Sequence, residues 1–190
     1  MKRPSLIFAI TVMLCVLFCA AAFAQEFSAD IVNTTREGSF RGKIYTSKDK
    51  MRLEQQGNII ISRLDRNVTW IIMPEEKVYM EQKVDPRNIA AVMNEAAGQV
   101  EREALGKEEI DGRLTDKYKV TYTYGGETAS MFVWTTQASN IPVKTMAVDG
   151  SWSMEYKNLK EGPQSADLFE IPAGYEKMSF DMPALPDMGY

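Results

Sequence analysis

From Phe27 onward, short segments that alternate apolar with polar residues follow one another at close spacing, each ended by turn residues. Phe27, Ala29 and Ile31 alternate with polar neighbours, as do Phe40, Gly42 and Ile44 within residues 40–46 and Met51 and Leu53 within 50–55. Residues 58–64 and 68–73 are β-branched and apolar, bounded by Gly57 and Pro74, and 78–80 is a short run between charges. Residues 117–124, 128–135, 141–148 and 151–159 continue the pattern. Period-two alternation over four to eight residues, with turns between, specifies antiparallel sheet. Gly125-Gly126 and Asp149-Gly150 fall between such runs and predict tight hairpins. About ten strands in a chain of this size predict one large meandering sheet, curved or partly closed.

One segment has a different period. Asp85-Pro86 is a helix opening, with Asp as N-cap and Pro in the first turn, where its missing N–H costs nothing. Ile89, Val92, Met93, Ala96, Ala97 and Val100 then form one apolar stripe. The spacing predicts a helix from Pro86 to about Val100, packed on the sheet either as ordinary core or as a lid over a cavity.

The start of the chain is set apart from this pattern. Met1-Lys2-Arg3, the uncharged apolar run 6–18 and Ala22-Phe23-Ala24 have the three parts of a secretory signal peptide. The apolar centre is shorter than the roughly 20 residues a membrane-spanning helix needs. Cleavage is expected after Ala24, giving a periplasmic or secreted protein with a domain over 25–175 and a loose tail over 176–190. Both cysteines, Cys15 and Cys19, fall in the leader. Acylation at Cys19 is the competing outcome, but the bulky Leu17-Phe18 before it does not suit a lipoprotein cleavage site.

Composition removes several functions. There is no histidine, and beyond the leader no cysteine, so zinc, copper and haem lose their usual ligands. The common catalytic triads lose their members as well. Without Lys2 and Arg3 the chain keeps 20 of its 22 basic side chains against 26 acidic ones. That excess of negative charge disfavours nucleic acid as a partner. Glu75-Glu76 and Glu108-Glu109 read as solvated connections, without the burial that would tune a catalytic carboxylate. No catalytic residue, metal or cofactor is expected.

The apolar residues exceed what one face of a sheet needs. Trp70 and Ile72 point one way from their strand, Ile71 and Met73 the other, and Met131 to Trp134 are apolar on both sides. Such strands imply a covered sheet, an interior cavity or an apolar surface for a partner. The ten methionines beyond the leader, out of twelve, suit a deformable apolar surface.

Several stretches carry a family resemblance: Gly42-Lys43-Ile44-Tyr45, Lys50-Met51-Arg52-Leu53-Glu54, residues 70–79, Ile141-Pro142-Val143-Lys144 and residues 168–175. They resemble an uncharacterised family of secreted bacterial proteins related to the outer-membrane lipoprotein carrier superfamily. The resemblance implies a mainly β fold with one or two helices: a strongly curved antiparallel half-barrel with helix covering the concave face. It implies a cavity for acyl chains, lipid or the lipid moiety of a lipoprotein. Phe40, Ile44, Leu53, Trp70, Ile72, Phe132, Trp134 and Met154 are the expected wall residues, with Val92, Met93 and Ala96 from the helix. It also suggests Arg52 as the arginine that locks a helical lid, although alternation with Met51 and Leu53 points Arg52 outward. The competing reading is an envelope interaction or stress-sensing module with the same fold, a collapsed cavity and an envelope protein as its partner.

Overall fold

In a computed structural model of the chain, residues 25–84, 100–124 and 127–178 are described. They form one open sheet of twelve strands. The strands are β1 (Phe27–Thr35), β2 (Gly38–Ser47), β3 (Lys50–Gln55), β4 (Asn58–Arg63), β5 (Val68–Met73) and β6 (Val78–Lys83), then β7 (Val100–Ile110), β8 (Arg113–Tyr124), β9 (Glu127–Thr136), β10 (Pro142–Ala147), β11 (Trp152–Glu161) and β12 (Glu176–Lys177). Their spatial order is β12-β6-β5-β4-β3-β2-β1-β11-β10-β9-β8-β7. Every pair is antiparallel except β12 on β6. Two meanders, β1–β6 and β7–β11, are therefore joined side by side where β1 pairs with β11.

The turns follow from backbone conformation. Gln56-Gly57 and Asp111-Gly112 join their strands through two residues that both have positive φ. That is the geometry whose twist matches a right-twisted hairpin, with Gly at the second place because it carries no Cβ penalty. Asp149-Gly150 closes β10 onto β11 as expected, the Gly150 N–H donating to the Ala147 carbonyl at 2.9 Å.

The sheet bends. β8 lies three places from β11, which in a flat sheet is roughly 14 Å. Yet the Arg113 guanidinium donates to the Leu159 carbonyl at 2.6 Å, and the Asp111 carboxylate accepts from the Asn158 N–H at 2.8 Å. The β7–β8 turn therefore curls over the ends of β9 and β10. Gly42 marks another tight place, since a Cβ there would collide with the Glu54 carbonyl.

Three sequence expectations need correction. The sheet has twelve strands rather than ten, the additions being β7 and the short β12. Val100, expected as the last apolar position of the helix, opens β7 instead, and Glu108-Glu109 lie in that strand rather than in a connection. Glu101, Arg102 and Glu103 hide the alternation, and pairing with β8 overrides local preference. Among the described residues helical structure is limited to two 3-10 turns, Leu64–Arg66 and Ala166–Phe169. Most of the expected helix, including Val92, Met93 and Ala96, lies outside the described residues, as does the Gly125-Gly126 turn. No helix among the described residues is long and apolar enough to cross a membrane. The boundary drawn after Tyr175 falls just before β12, where the Met178 N–H donates to the Tyr79 carbonyl at 2.8 Å.

Candidate apolar face and the strap on its reverse

Alternate residues of a strand face opposite sides, and register carries each side across the sheet. The side holding Phe27, Ala29 and Ile31 is called here the Ile31 face, and the side holding Ser28, Asp30 and Val32 the Asp30 face. On the Ile31 face, Ala29, Ile44, Leu53, Ile60, Ile71 and Met80 stand in register across six strands. At the usual strand spacing this apolar row is about 24 Å long. Ala29 and Ile44 are buried, and the other four are half-buried. Beyond β1 the face continues through Tyr156 and Met154 on β11, Val133 and Met131 on β9, and Tyr118, Val120 and Tyr122 on β8. Burial holds the Tyr122 hydroxyl above the usual phenol range.

The sequence-predicted wall residues divide between the two faces. Ile44, Leu53, Met154 and the exposed Phe40 share the Ile31 face. Register places Trp70, Ile72, Phe132 and Trp134 on the other one. The pattern at Trp70-Ile71-Ile72-Met73 showed two apolar sides without showing which side joins Ile44. Ile60, Ile71 and Met80, missed from sequence, become visible only once the ladder aligns them.

The Asp30 face is built differently in its two halves. Over β3–β6 the chain after β11 returns as a strap. Leu168, Phe169, Ile171 and Tyr175 pack on Ile61, Trp70 and Ile72. Phe169 is 1% exposed. Two arginines hold consecutive strap carbonyls: Arg52 donates to Leu168 at 3.0 Å and Arg63 to Phe169 at 3.1 Å. Arg52 also pairs with Glu54 at 2.7 Å. Its described partners are thus Glu54 and the strap, whereas the expected lid residues lie outside the described ones.

Arg63 is the buried centre of this clamp. It donates twice to Asp65, at 2.8 and 2.7 Å, and once to Glu170 at 2.5 Å. Arg66 also reaches Glu170, at 3.0 Å. The hydrogen bonds it donates to Asp65 outweigh burial and push the guanidinium pKa up, so Arg63 stays charged. Arg63 in turn holds the Asp65 carboxyl below its ordinary range. Burial alone would raise Glu170, but the hydrogen bonds from Arg63 and Arg66 prevail and lower it. A buried charge is tolerable only when paired in this way. Sequence reasoning missed the strap's partner, because residues 63 and 170 carry no local signal of each other.

Over β8–β11 the same face has a charged lattice. The Trp134 indole N–H donates to Glu108 at 2.7 Å, while Lys117 and Lys144 lie 4.8 and 5.2 Å from its ring. Lys117 pairs with Glu108, Lys144 with Glu155, and Lys157 with both Glu155 and Asp111. The Lys117 hydrogen bond, followed by that of Trp134, lowers the Glu108 carboxyl. Between the two halves lies a groove of about 1030 Å³ lined by Asp30, Lys43, Arg52, Glu54, Asp111 and Lys157 among others. Its charges of both signs are unlike an acyl-chain site. Among the described residues no three metal-ligating side chains converge.

Residues 24–140, more than half of the chain, match a family model described as a domain of unknown function, DUF4412. The chain belongs to the DUF4412 family. No curated protein matches its sequence. Among solved structures, this DUF4412 chain is similar to an uncharacterised conserved protein from Thermus thermophilus, at TM-score 0.58 and 12% identity, covering 90% of this chain and 98% of that one. It is similar to MucB at TM-score 0.56 and 16% identity, covering 86% of this chain and 62% of MucB. The Mycobacterium tuberculosis lipoprotein LppX matches at TM-score 0.50 and 15% identity, over 82% of this chain and 98% of LppX. A LolA superfamily protein from Nitrosomonas europaea also matches, with a TM-score of 0.33 that is too low to define a shared fold alone. The resemblance to an uncharacterised family, read from the sequence, agrees with the DUF4412 match, and the chain shares its fold with MucB and LppX.

Proposed function

We propose that this DUF4412 protein is a non-enzymatic binding protein of the cell envelope or exterior that takes hydrophobic ligands, lipid or the lipid moiety of a lipoprotein, on its Ile31 face. The observation that carries the reading is the aligned row Ala29–Ile44–Leu53–Ile60–Ile71–Met80, uninterrupted by a polar side chain across six strands. Leu53, Ile60, Ile71 and Met80 are only half-buried, so the row keeps apolar area that a ligand or partner could cover. The leader sequence supports a location outside the cytoplasm, and LppX, a lipoprotein, has a similar fold. Most of the helix expected from the sequence, with Val92, Met93 and Ala96, lies outside the described residues. Phe40, Ile44, Leu53 and Met154 remain wall candidates. Trp70, Ile72, Phe132 and Trp134 are better assigned to the reverse face.

A second reading is supported by MucB, whose structure has also been solved in complex with MucA(peri) at TM-score 0.54 to this chain. There, an envelope protein would be the partner of the same face. Mass spectrometry of lipid extracted from protein purified in its mature form separates the two. Co-purifying lipid, and uptake of a fluorescent fatty-acid probe that Leu53→Asp or Ile71→Asp abolishes, is the expected result. A ligand-free protein that ignores the probe would favour the partner-binding module.

A further inference from the structure

The groove on the Asp30 face is separated from the apolar Ile31 row by the sheet itself. Its volume of about 1030 Å³ far exceeds what a lone ion needs. It crosses β11, β1, β2, β3 and β4, four strand spacings or about 19 Å, a distance that about six extended residues span. One register row through it neutralises itself: Lys157, Asp30, Lys43 and Glu54 alternate in sign across four strands. Every acid of the lining has a partner. Glu54 pairs with Arg52 at 2.7 Å, and Asp111 accepts from the Asn158 N–H at 2.8 Å with Lys157 at 3.8 Å. Asp30 accepts from the Asn158 side-chain amide at 2.8 Å, with Lys43 at 3.9 Å. The next row breaks the alternation. There Arg41 stands opposite Val32, and beyond Val32 the carboxylate of Glu155 is already shared by Lys144 and Lys157. Arg41 is exposed, lines the groove and has no acidic partner among the described residues. Lys43, two residues along the same strand, is about 7 Å away and only loosely held.

We propose that this groove is a second binding site, for an extended acidic peptide segment anchored by a carboxylate on the Arg41 guanidinium, with Lys43 adding positive charge beside it. The planar guanidinium presents two parallel N–H donors that match a carboxylate, which makes such pairs stronger than neutral hydrogen bonds. Gln56 and Asn58, exposed at the β3–β4 end of the groove, bring amides that can bond a peptide backbone. A lipid whose tail lies on the Ile31 face cannot place its head here, because the sheet intervenes. The complementarity is local: with 26 acidic against 22 basic side chains, the chain as a whole repels an acidic ligand. The site is independent of what the Ile31 face holds.

The test is equilibrium binding of hexaglutamate, at low ionic strength, to the mature chain and to Arg41→Gln, Arg41→Lys and Lys119→Gln. Arg41→Gln should weaken the peptide about tenfold, the size of one charge-assisted hydrogen-bonded pair. Arg41→Lys, which keeps the charge without the paired donors, should weaken it less. Lys119→Gln removes the same charge from the same face outside the groove and should leave the affinity unchanged. All three variants should melt close to wild type. Uptake of a fluorescent fatty acid should be the same in Arg41→Gln as in wild type. No binding of hexaglutamate by the wild type, or equal weakening by Arg41→Gln and Lys119→Gln, overturns the site while leaving the hydrophobic-ligand reading in place. Tighter binding of hexagalacturonate than of hexaglutamate overturns the peptide as occupant in favour of an anionic glycan. Loss of fatty-acid uptake in a folded Arg41→Gln overturns the independence of the two sites.

Discussion

Trp70 and Trp134 lie on the same face of one sheet, and they are covered in opposite ways. Trp70 is overlaid by a strap that adds Phe169, two arginine-held carbonyls and an edge strand. Trp134 is overlaid by the stems of Lys117 and Lys144, with a carboxylate on its indole N–H. Apolar residues on the reverse of a strand therefore need not mean a cavity. One half solves the problem with a distant piece of chain, the other with amphipathic side chains already on the neighbouring strands. The strap half should be more cooperative and more sensitive to single substitutions.

The largest expected effect is at the strap anchor. Phe169→Ala should cost about 3–5 kcal/mol, read as a shift of the urea midpoint, because it removes a fully buried ring that nothing can replace. Phe132→Ala on the lattice side, where the ring is only half-buried, should cost clearly less. Equal costs would break the comparison. Next comes Arg63→Ala, expected to destabilise by about 2–3 kcal/mol through its lost charge-assisted bonds, with Trp70 emission reporting the loosened strap.

Acid should reach the strap as well. Asp65 and Glu170 have depressed folded pKa values, so their contribution is fully present above the unfolded carboxylate range. It is lost as pH falls below about 4 and through those depressed values. Thermal melts between pH 6 and 2 should show the loss, and it should shrink in Arg63→Met, which removes the shared partner. An unchanged pH slope in that variant would detach the carboxylates from the clamp. The smallest effect belongs to the lattice. Lys144→Ala should cost about 0.5–1 kcal/mol and red-shift Trp134 emission, since it uncovers the ring and loses the 3.7 Å pair with Glu155.

How much of this was legible varies by element. The alternation at Phe27-Ala29-Ile31 and the turn at Asp149-Gly150 carry their own physics, so β1 and the β10–β11 hairpin could be read directly. β7 could not, because an exposed edge strand needs no apolar side and its charges conceal the period. The division of the wall residues was hidden for another reason. Register decides which side of Trp70 joins Ile44, and register is a property of paired strands rather than of either alone. Arg52 shows the same limit: alternation pointed it away from Leu53 as the structure does, but its burial beneath the strap depends on residue 168, far along the chain.

The seam between β1 and β11 has a consequence for the order of events in folding. Each meander is stitched by hairpins between neighbours in sequence, contacts that close quickly. The seam instead joins Phe27 to Glu161, and the strap ties the end of the second meander back across the first. Neither tie can form until nearly the whole domain is present, so loop-closure entropy falls on the last step. Until then each half is a ribbon with an unpaired inner edge, β1 on one and β11 on the other. Those two edges, hidden in the finished sheet, are where a newly made chain is most open to pairing with the wrong partner.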